Sequence, residues 1–281
     1  HFAYFCNKSK QTNPMDDKNI YPENEIFNRS HLLLGDETME KLKNTEVIIF
    51  GIGGVGSWTA ESLIRTGVRN LTIVDADTVA VSNINRQAPA TTLTVGESKV
   101  EAMRHRLLQI NPDANITAIR QIYSADTASE FDLEQYDYII DAIDSLTDKA
   151  TLIINATNAS RPKLLSSMGA ALKMDPTRIQ VAEFWKVKGC RLAAALRTRF
   201  KRNARFPSRK FQCVFSDELL PNLGAELSER PARSTKSCPP CNSPMTFNKV
   251  ATNGSLCHIT AIFGMTLTGL LLQHITRQPA S

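Results

Sequence analysis

The chain has no apolar run long enough to span a bilayer, so a membrane-embedded role is not expected. The nearest candidate, residues 259–272 (ITAIFGMTLTGLLL), is too short and predicts a buried C-terminal helix. Cysteine is sparse. Cys6, Cys190, Cys213, Cys238, Cys241 and Cys257 are too few for a disulfide scaffold in 281 residues. No secretory signal is visible, so a reducing, cytoplasmic setting is the expectation. The stretch before Met15 (HFAYFCNKSKQTNP) has neither a signal-peptide core nor an arginine-rich amphipathic pattern. Residues 1–24 are expected to be a poorly ordered tail. No internal repeat is present. The hydrophobic content is ordinary at 42%, and the charge of +5 suits a polyanionic partner without demanding one.

The organising stretch is residues 47–56 (VIIFGIGGVG). Four apolar residues predict a strand buried on both faces. Gly51, Gly53 and Gly56 form GxGxxG, and residues 57–65 have helical spacing. A second strand, residues 71–75 (LTIVD), ends in Asp75 about 20 residues past the last glycine, where a ribose hydroxyl is usually held. Strand, glycine turn, helix and acid-ended strand together predict a nucleotide site. The glycines admit a phosphate, and the helix N-terminus turns free N–H groups toward it.

Further along, residues 25–42 predict two short helices broken at Gly35. A polar loop over 76–94 contains SNINRQ, and a helix over 97–110 stops at Asn111-Pro112. Strands are expected at 115–123, 136–143 and 163–168, with a helix over 146–159 between the last two. This alternation predicts an α/β fold: a Rossmann-like, mostly parallel sheet with helices on both faces. A C-terminal extension with a loop and a helix follows. Residues 25–175 are expected to form the nucleotide-binding region. Residues 176–281 complete the same domain and face the substrate, with strands at 179–185 and 213–215 and a long loop over 221–248.

Ligands of such sheets collect at the carboxyl ends of the strands. Asn83, Arg86 and Lys99 add polar and cationic groups near the phosphate turn, which suggests a triphosphate rather than the pyrophosphate of NAD. Asp144 ends its strand on the same side and suits magnesium held between phosphate oxygens. Neither a hydride-acceptor site nor a catalytic dyad for nicotinamide chemistry is visible.

These residues resemble a family. GIGGVGSW, VDADTV, SNINRQ, VGESKVEAM, QINP and DAIDS look like the ubiquitin-activating-enzyme superfamily, which includes the ThiF-type adenylyltransferases of molybdopterin and thiazole synthesis. DPTRIQV at 175–181 and CVFSDE at 213–218 are similar to the tRNA threonylcarbamoyladenosine dehydratase branch. The resemblance covers residues 28–271. It implies a ligase-type enzyme that uses ATP to adenylate a carboxylate on a modified adenosine of tRNA. The side chain then closes into a ring with net loss of water, a step favoured by proximity.

It also implies roles by residue. Gly51, Gly53, Gly54 and Gly56 line the phosphate turn, and Asp75 binds ribose. Asn83, Arg86 and Lys99 face the triphosphate. Asp144 binds magnesium, with Arg86 and Asp144 serving the chemistry. Asp77 either joins the site or only braces its loop. Arg29, followed by Leu32, Leu33 and Leu34, is similar to an arm that carries a catalytic arginine into the partner's site of a homodimer. The sequence names neither the sulfur-relay protein seen with this family nor a bound alkali cation.

Two stretches stay open. Residues 186–210 are densely basic, with Phe200, Phe206 and Phe211 interleaved. They are either a solvated surface loop or a tRNA contact with base stacking. Cys238 and Cys241 form a single CxxC, short of the four ligands that zinc needs. Two rival functions share the nucleotide fold: an adenylyltransferase of a ubiquitin-like sulfur carrier, and a non-catalytic nucleotide-binding scaffold.

Overall fold

In the first strand Val47 and Ile49 point to one face while Ile48 and Phe50 point to the other, and all four are fully buried. A strand without a solvated face needs helices on both sides. The computed structural model, which describes residues 21–224 and 253–277, supplies them. Seven strands form one sheet: β1 (Glu46–Phe50), β2 (Asn70–Val74), β3 (Asn115–Ile119), β4 (Tyr138–Asp141), β5 (Lys163–Ser167), β6 (Ile179–Glu183) and β7 (Gln212–Ser216). Their order is β3-β2-β1-β4-β5-β7-β6. All neighbours are parallel except β6, which runs antiparallel to β7. An antiparallel strand at one edge refines the parallel expectation.

Helices α1 (Glu23–Ile26), α2 (Asn28–Asn44), α3 (Gly54–Thr66) and α4 (Lys99–Leu108) precede β4, and α5 (Leu146–Asn158), α6 (Arg191–Arg202) and α7 (Cys257–Thr276) follow it. The break at Gly35 is present, with φ of 75° inside α2. One core joins β1 to α3, α4 and α7 through Leu63, Met103, Phe263 and Leu267. The other joins β1 and β4 to α5 and α6 through Ile153, Leu196 and Phe200.

Several expectations are corrected. Helix α1 starts inside the expected tail; residues 1–20 lie outside the described residues. The strand expected to reach residue 123 stops at Ile119, and Tyr123 turns into the aromatic cluster of Phe50 and Phe131. The middle of the basic stretch is a helix, α6, and not a loop, because Ala193, Leu196 and Phe200 recur at helical spacing and bury one face, while residues 203–210 are irregular. Phe200 and Phe211 are core residues, the first edge-on to Phe184 and the second stacked on it, so neither offers a ring to a base. Phe206 is exposed beside Trp185, with ring centroids 6.3 Å apart. Arg209 lies over the end of α5: it donates to the carbonyls of Ala156, Thr157, Ala159, Ser160 and Pro162, closing the C-terminus of that helix. A guanidinium there satisfies orphan carbonyls and complements the helix dipole.

The C-terminal helix is longer than expected. At 20 residues α7 is long and apolar enough to cross a membrane by length and composition. It serves as a core helix, lying against α3 at very short range. A β-carbon on Gly264 would sit 2.6 Å from the Val55 carbonyl oxygen and 2.8 Å from the Thr59 amide nitrogen. Thr59 and Thr268 add hydrogen bonds across the same contact.

Two predictions follow from this packing. Gly264→Ala gains helix propensity, yet its β-carbon would strike α3 backbone, so overpacking decides the sign. We expect a loss of about 1–3 kcal/mol in urea denaturation. Arg209→Ala should cost about 2 kcal/mol in the same measurement, because several charge-assisted hydrogen bonds to α5 carbonyls go at once. Unchanged denaturation midpoints would overturn both assignments.

Candidate nucleotide-binding site

The strand order reverses beside β1: β2 lies on one side and β4 on the other. A crevice opens at such a switch point, at the carboxyl ends of the strands. The turn leaving β1 fills one wall of it. Gly51 adopts φ of 90°, and a β-carbon there would lie 2.7 Å from the Ala142 carbonyl oxygen of the turn after β4. A β-carbon on Gly56 would collide with the Gly51 carbonyl oxygen. These two glycines let β1, α3 and the β4–α5 turn close on one another. Gly53 precedes the first residue of α3 and Gly54 begins it; no side chain caps that end. The first N–H groups of α3 are therefore open to an anion.

Asp75 follows β2 and turns back to this turn. Its Oδ2 accepts the Ile52 N–H at 2.7 Å, and its Oδ1 accepts the Asp77 N–H at 2.9 Å. Each oxygen keeps acceptor capacity. Burial raises the Asp75 pKa, and the Lys99 ammonium, 3.9 Å away, opposes that shift. Lys99 begins α4 and is only 6% exposed. Its Nζ donates to Asp77 Oδ2 at 2.7 Å, and its N–H donates to the Asp77 carbonyl at 3.0 Å. Asp77 thus braces the loop and neutralises Lys99.

The loop of SNINRQ is clamped onto α3. The Trp58 indole donates to the Arg86 carbonyl at 2.9 Å, and the Ala88 N–H donates to Ser57 Oγ at 3.1 Å. Asn83 Oδ1 accepts the Ala80 N–H, so this side chain holds its own turn. The Arg86 guanidinium donates to the Ser82 carbonyl and Asn85 Oδ1 and stays half-buried. Asp144 lies three residues past the end of β4, in the turn that touches Gly51. Its carboxylate is exposed and forms no hydrogen bond or ion pair with the described residues.

The contacts tie Gly51 and Gly56 to the Ala142 turn that leads into Asp144, Asp75 to Ile52 of the glycine turn, Asp77 and Lys99 to Asp75, and the loop of Asn83 and Arg86 to α3. Within a single chain the fold does not bring Arg29 into this cluster: Arg29 is exposed on α2 and forms no hydrogen bond or ion pair with the described residues. Two groups were missed by sequence reasoning. Gln87 is buried beside Gly53, and its Oε1 has no partner among the described residues. Its place at the end of SNINRQ was the available signal. The second is the ion pair of Asp141 and Lys149, fully buried beneath the Asp144 turn. Cys238 and Cys241 lie outside the described residues. A cleft lined by Glu37, Lys41, Asp137, Arg161 and Lys163 opens at the amino ends of β1, β4 and β5, the opposite end of the strands from these groups.

Comparison with known proteins identifies the family. The pattern of the ThiF family matches residues 27–279. The tRNA threonylcarbamoyladenosine dehydratase of Bacillus subtilis (strain 168) is 40% identical over 192 residues, covering 68% of this chain and 74% of that protein. The crystal structure of the E. coli tRNA N6-threonylcarbamoyladenosine dehydratase, TcdA, in complex with ATP superposes with a TM-score of 0.75 at 32% identity, covering 90% of this chain and 94% of that one. The molybdopterin-synthase adenylyltransferase of Escherichia coli (strain K12) is 35% identical over 151 residues, covering 53% of this chain and 59% of that protein. The chain belongs to the ThiF family, among relatives that carry the dehydratase name.

Proposed function

We propose that this protein uses ATP to dehydrate N6-threonylcarbamoyladenosine in tRNA to a cyclic form. The observation that supports the reading is the glycine turn, whose uncapped α3 N-terminus is braced by Asp75 beside buried Lys99 and by the Ala142 turn that leads into Asp144. A carboxylate is a poor acyl donor because oxide is a poor leaving group. Attack of a substrate carboxylate oxygen on the α-phosphorus of ATP forms an acyl adenylate and breaks the bond to pyrophosphate. A nucleophile in the same side chain then attacks the acyl carbon, and AMP leaves with the carboxylate oxygen. Both ends of that second step are tethered, so it needs little further help.

In this reading the glycine turn holds the phosphates and Asp75 takes the ribose. Asn83, Arg86 and Lys99 surround the triphosphate, where charge shifts onto the departing oxygens. Lys99 would exchange its contact with Asp77 for phosphate. Among the described residues no group of three His, Cys, Asp or Glu could cage a metal. A lone free carboxylate fits magnesium, which is commonly held by one or two carboxylates together with substrate phosphates. Asp144 would hold it, and the ion would neutralise charge between phosphate oxygens.

The outward cations of α6, Arg199, Lys201 and Arg202, support contact with tRNA phosphates. The free thiols of Cys190, Cys213 and Cys257 suit a cytoplasmic setting. A sulfur-carrier adenylyltransferase is the weaker reading, because that likeness spans half of the chain. Mass spectrometry of tRNA nucleosides after incubation with protein and ATP tests the proposal. The modified adenosine should lose one water, and Arg86→Ala or Asp144→Ala should slow this by about 100-fold. ATP-dependent pyrophosphate release on a Gly-Gly carrier, with unmodified tRNA product, would overturn it.

We further propose a homodimer in which Arg29 enters the partner's site. Leu32 and Leu33 flank it with 81% and 83% of their surface exposed, which leaves an apolar stripe for a second copy to cover. Mixing Arg29→Ala with Asp144→Ala should restore partial activity, since each mixed dimer regains one intact site. Failure to restore activity despite demonstrated subunit exchange would place Arg29 outside the partner's site.

A further inference from the structure

Lys149 sits in the first turn of α5, where the helix dipole disfavours a cation. It is nevertheless fully buried, 2.8 Å from an equally buried Asp141 at the end of β4. Buried ion pairs are weak sources of stability, so this one calls for another explanation. Its contacts supply one. Lys149 Nζ donates to the Ile143 carbonyl at 3.1 Å, and the Ile143 N–H donates to Asp141 Oδ1 at 3.2 Å. Both peptide groups of the residue before Asp144 are thus tied to the same pair. Ser166 on β5 donates to Asp141 Oδ2 at 2.6 Å, which links the pair to the neighbouring strand. On the other side of the turn, Ala142 donates its N–H to Phe50 and presents its carbonyl to Gly51.

We propose that the Asp141–Lys149 pair is a positioning device for Asp144. It fixes the peptide plane that leads into Asp144 and so sets this carboxylate against the glycine turn and its nucleotide. The inference rests on the reading of Asp144 as the magnesium-holding residue. Lys149 and Asp141 act through the turn and do not touch substrate.

The double variant Asp141→Leu/Lys149→Met removes both charges together, an exchange that buried pairs often tolerate without loss of stability. Binding of Mn²⁺ to the ATP complex, followed by electron paramagnetic resonance, should weaken about 10- to 100-fold, the scale for outer groups that orient a metal ligand. Binding of ATP without divalent ions should be unchanged, which a general loss of structure would not allow. Ser166→Ala loosens Asp141 without exposing a charge and should shift Mn²⁺ affinity in the same direction. If the double variant does not fold, Ser166→Ala decides, and wild-type Mn²⁺ affinity in it overturns the proposal. Asp144→Ala is measured alongside. Should Asp144→Ala weaken Mn²⁺ binding while the double variant does not, the positioning role falls and the reading of Asp144 stands. Should Asp144→Ala leave Mn²⁺ affinity unchanged, the reading of Asp144 falls and the positioning role falls with it.

Discussion

The structure depends on a single close approach, between the turn that leaves β1 and the turn that leaves β4. The Gly51 carbonyl occupies the space of a β-carbon at Gly56, and Gly51 leaves no room for its own against Ala142. Any side chain at either position would push α3 off β1 or open the crevice. Because the first turn of α3 is aimed by this contact, so are the N–H groups that meet an anion. Asp75 locks the same turn from the β2 side through Ile52. The geometry that binds phosphate is therefore held from both neighbouring strands before any ligand arrives, which is the condition for electrostatic preorganisation.

Charge is arranged in two layers around that turn. Lys99 faces Asp77 and Asp75 at the rim, where one carboxylate is open to water. Lys149 faces Asp141 beneath the floor with no exposure at all. Desolvation makes the inner pair costly to break and the outer pair cheap to exchange. Exposure thus separates two acid–lysine pairs of similar chemistry into one that water reaches and one that it does not.

Helix α7 and the segment around α6 show how packing reassigns residues that look functional in isolation. An apolar 20-residue helix passes a compositional test for a membrane span, yet Gly264 and two threonines seat it on α3. Of the aromatic residues interleaved with the arginines, Phe200 and Phe211 fill the core and only Phe206 reaches solvent. Arg209 spends its guanidinium on the end of α5. The cations that remain on the outer face of α6 are those with no carbonyl to satisfy.

The alternation of buried strands with helices, the glycine turn and the acid at residue 75 were legible in the chain because each is a local pattern with a local cause. Apolar runs demand burial on two faces, and glycines at fixed spacing permit one backbone shape. The family motifs carried the nucleotide chemistry in the same local way. Tertiary structure alone decided that β6 runs antiparallel, that Lys99 is buried, that Arg209 faces a helix end and that Asp141 and Lys149 meet beneath Asp144. Each of these depends on partners distant in sequence or on a side chain's direction in space. Spacing records which residues can share a face; only the packed chain determines which charge finds which partner, and how much water is left between them.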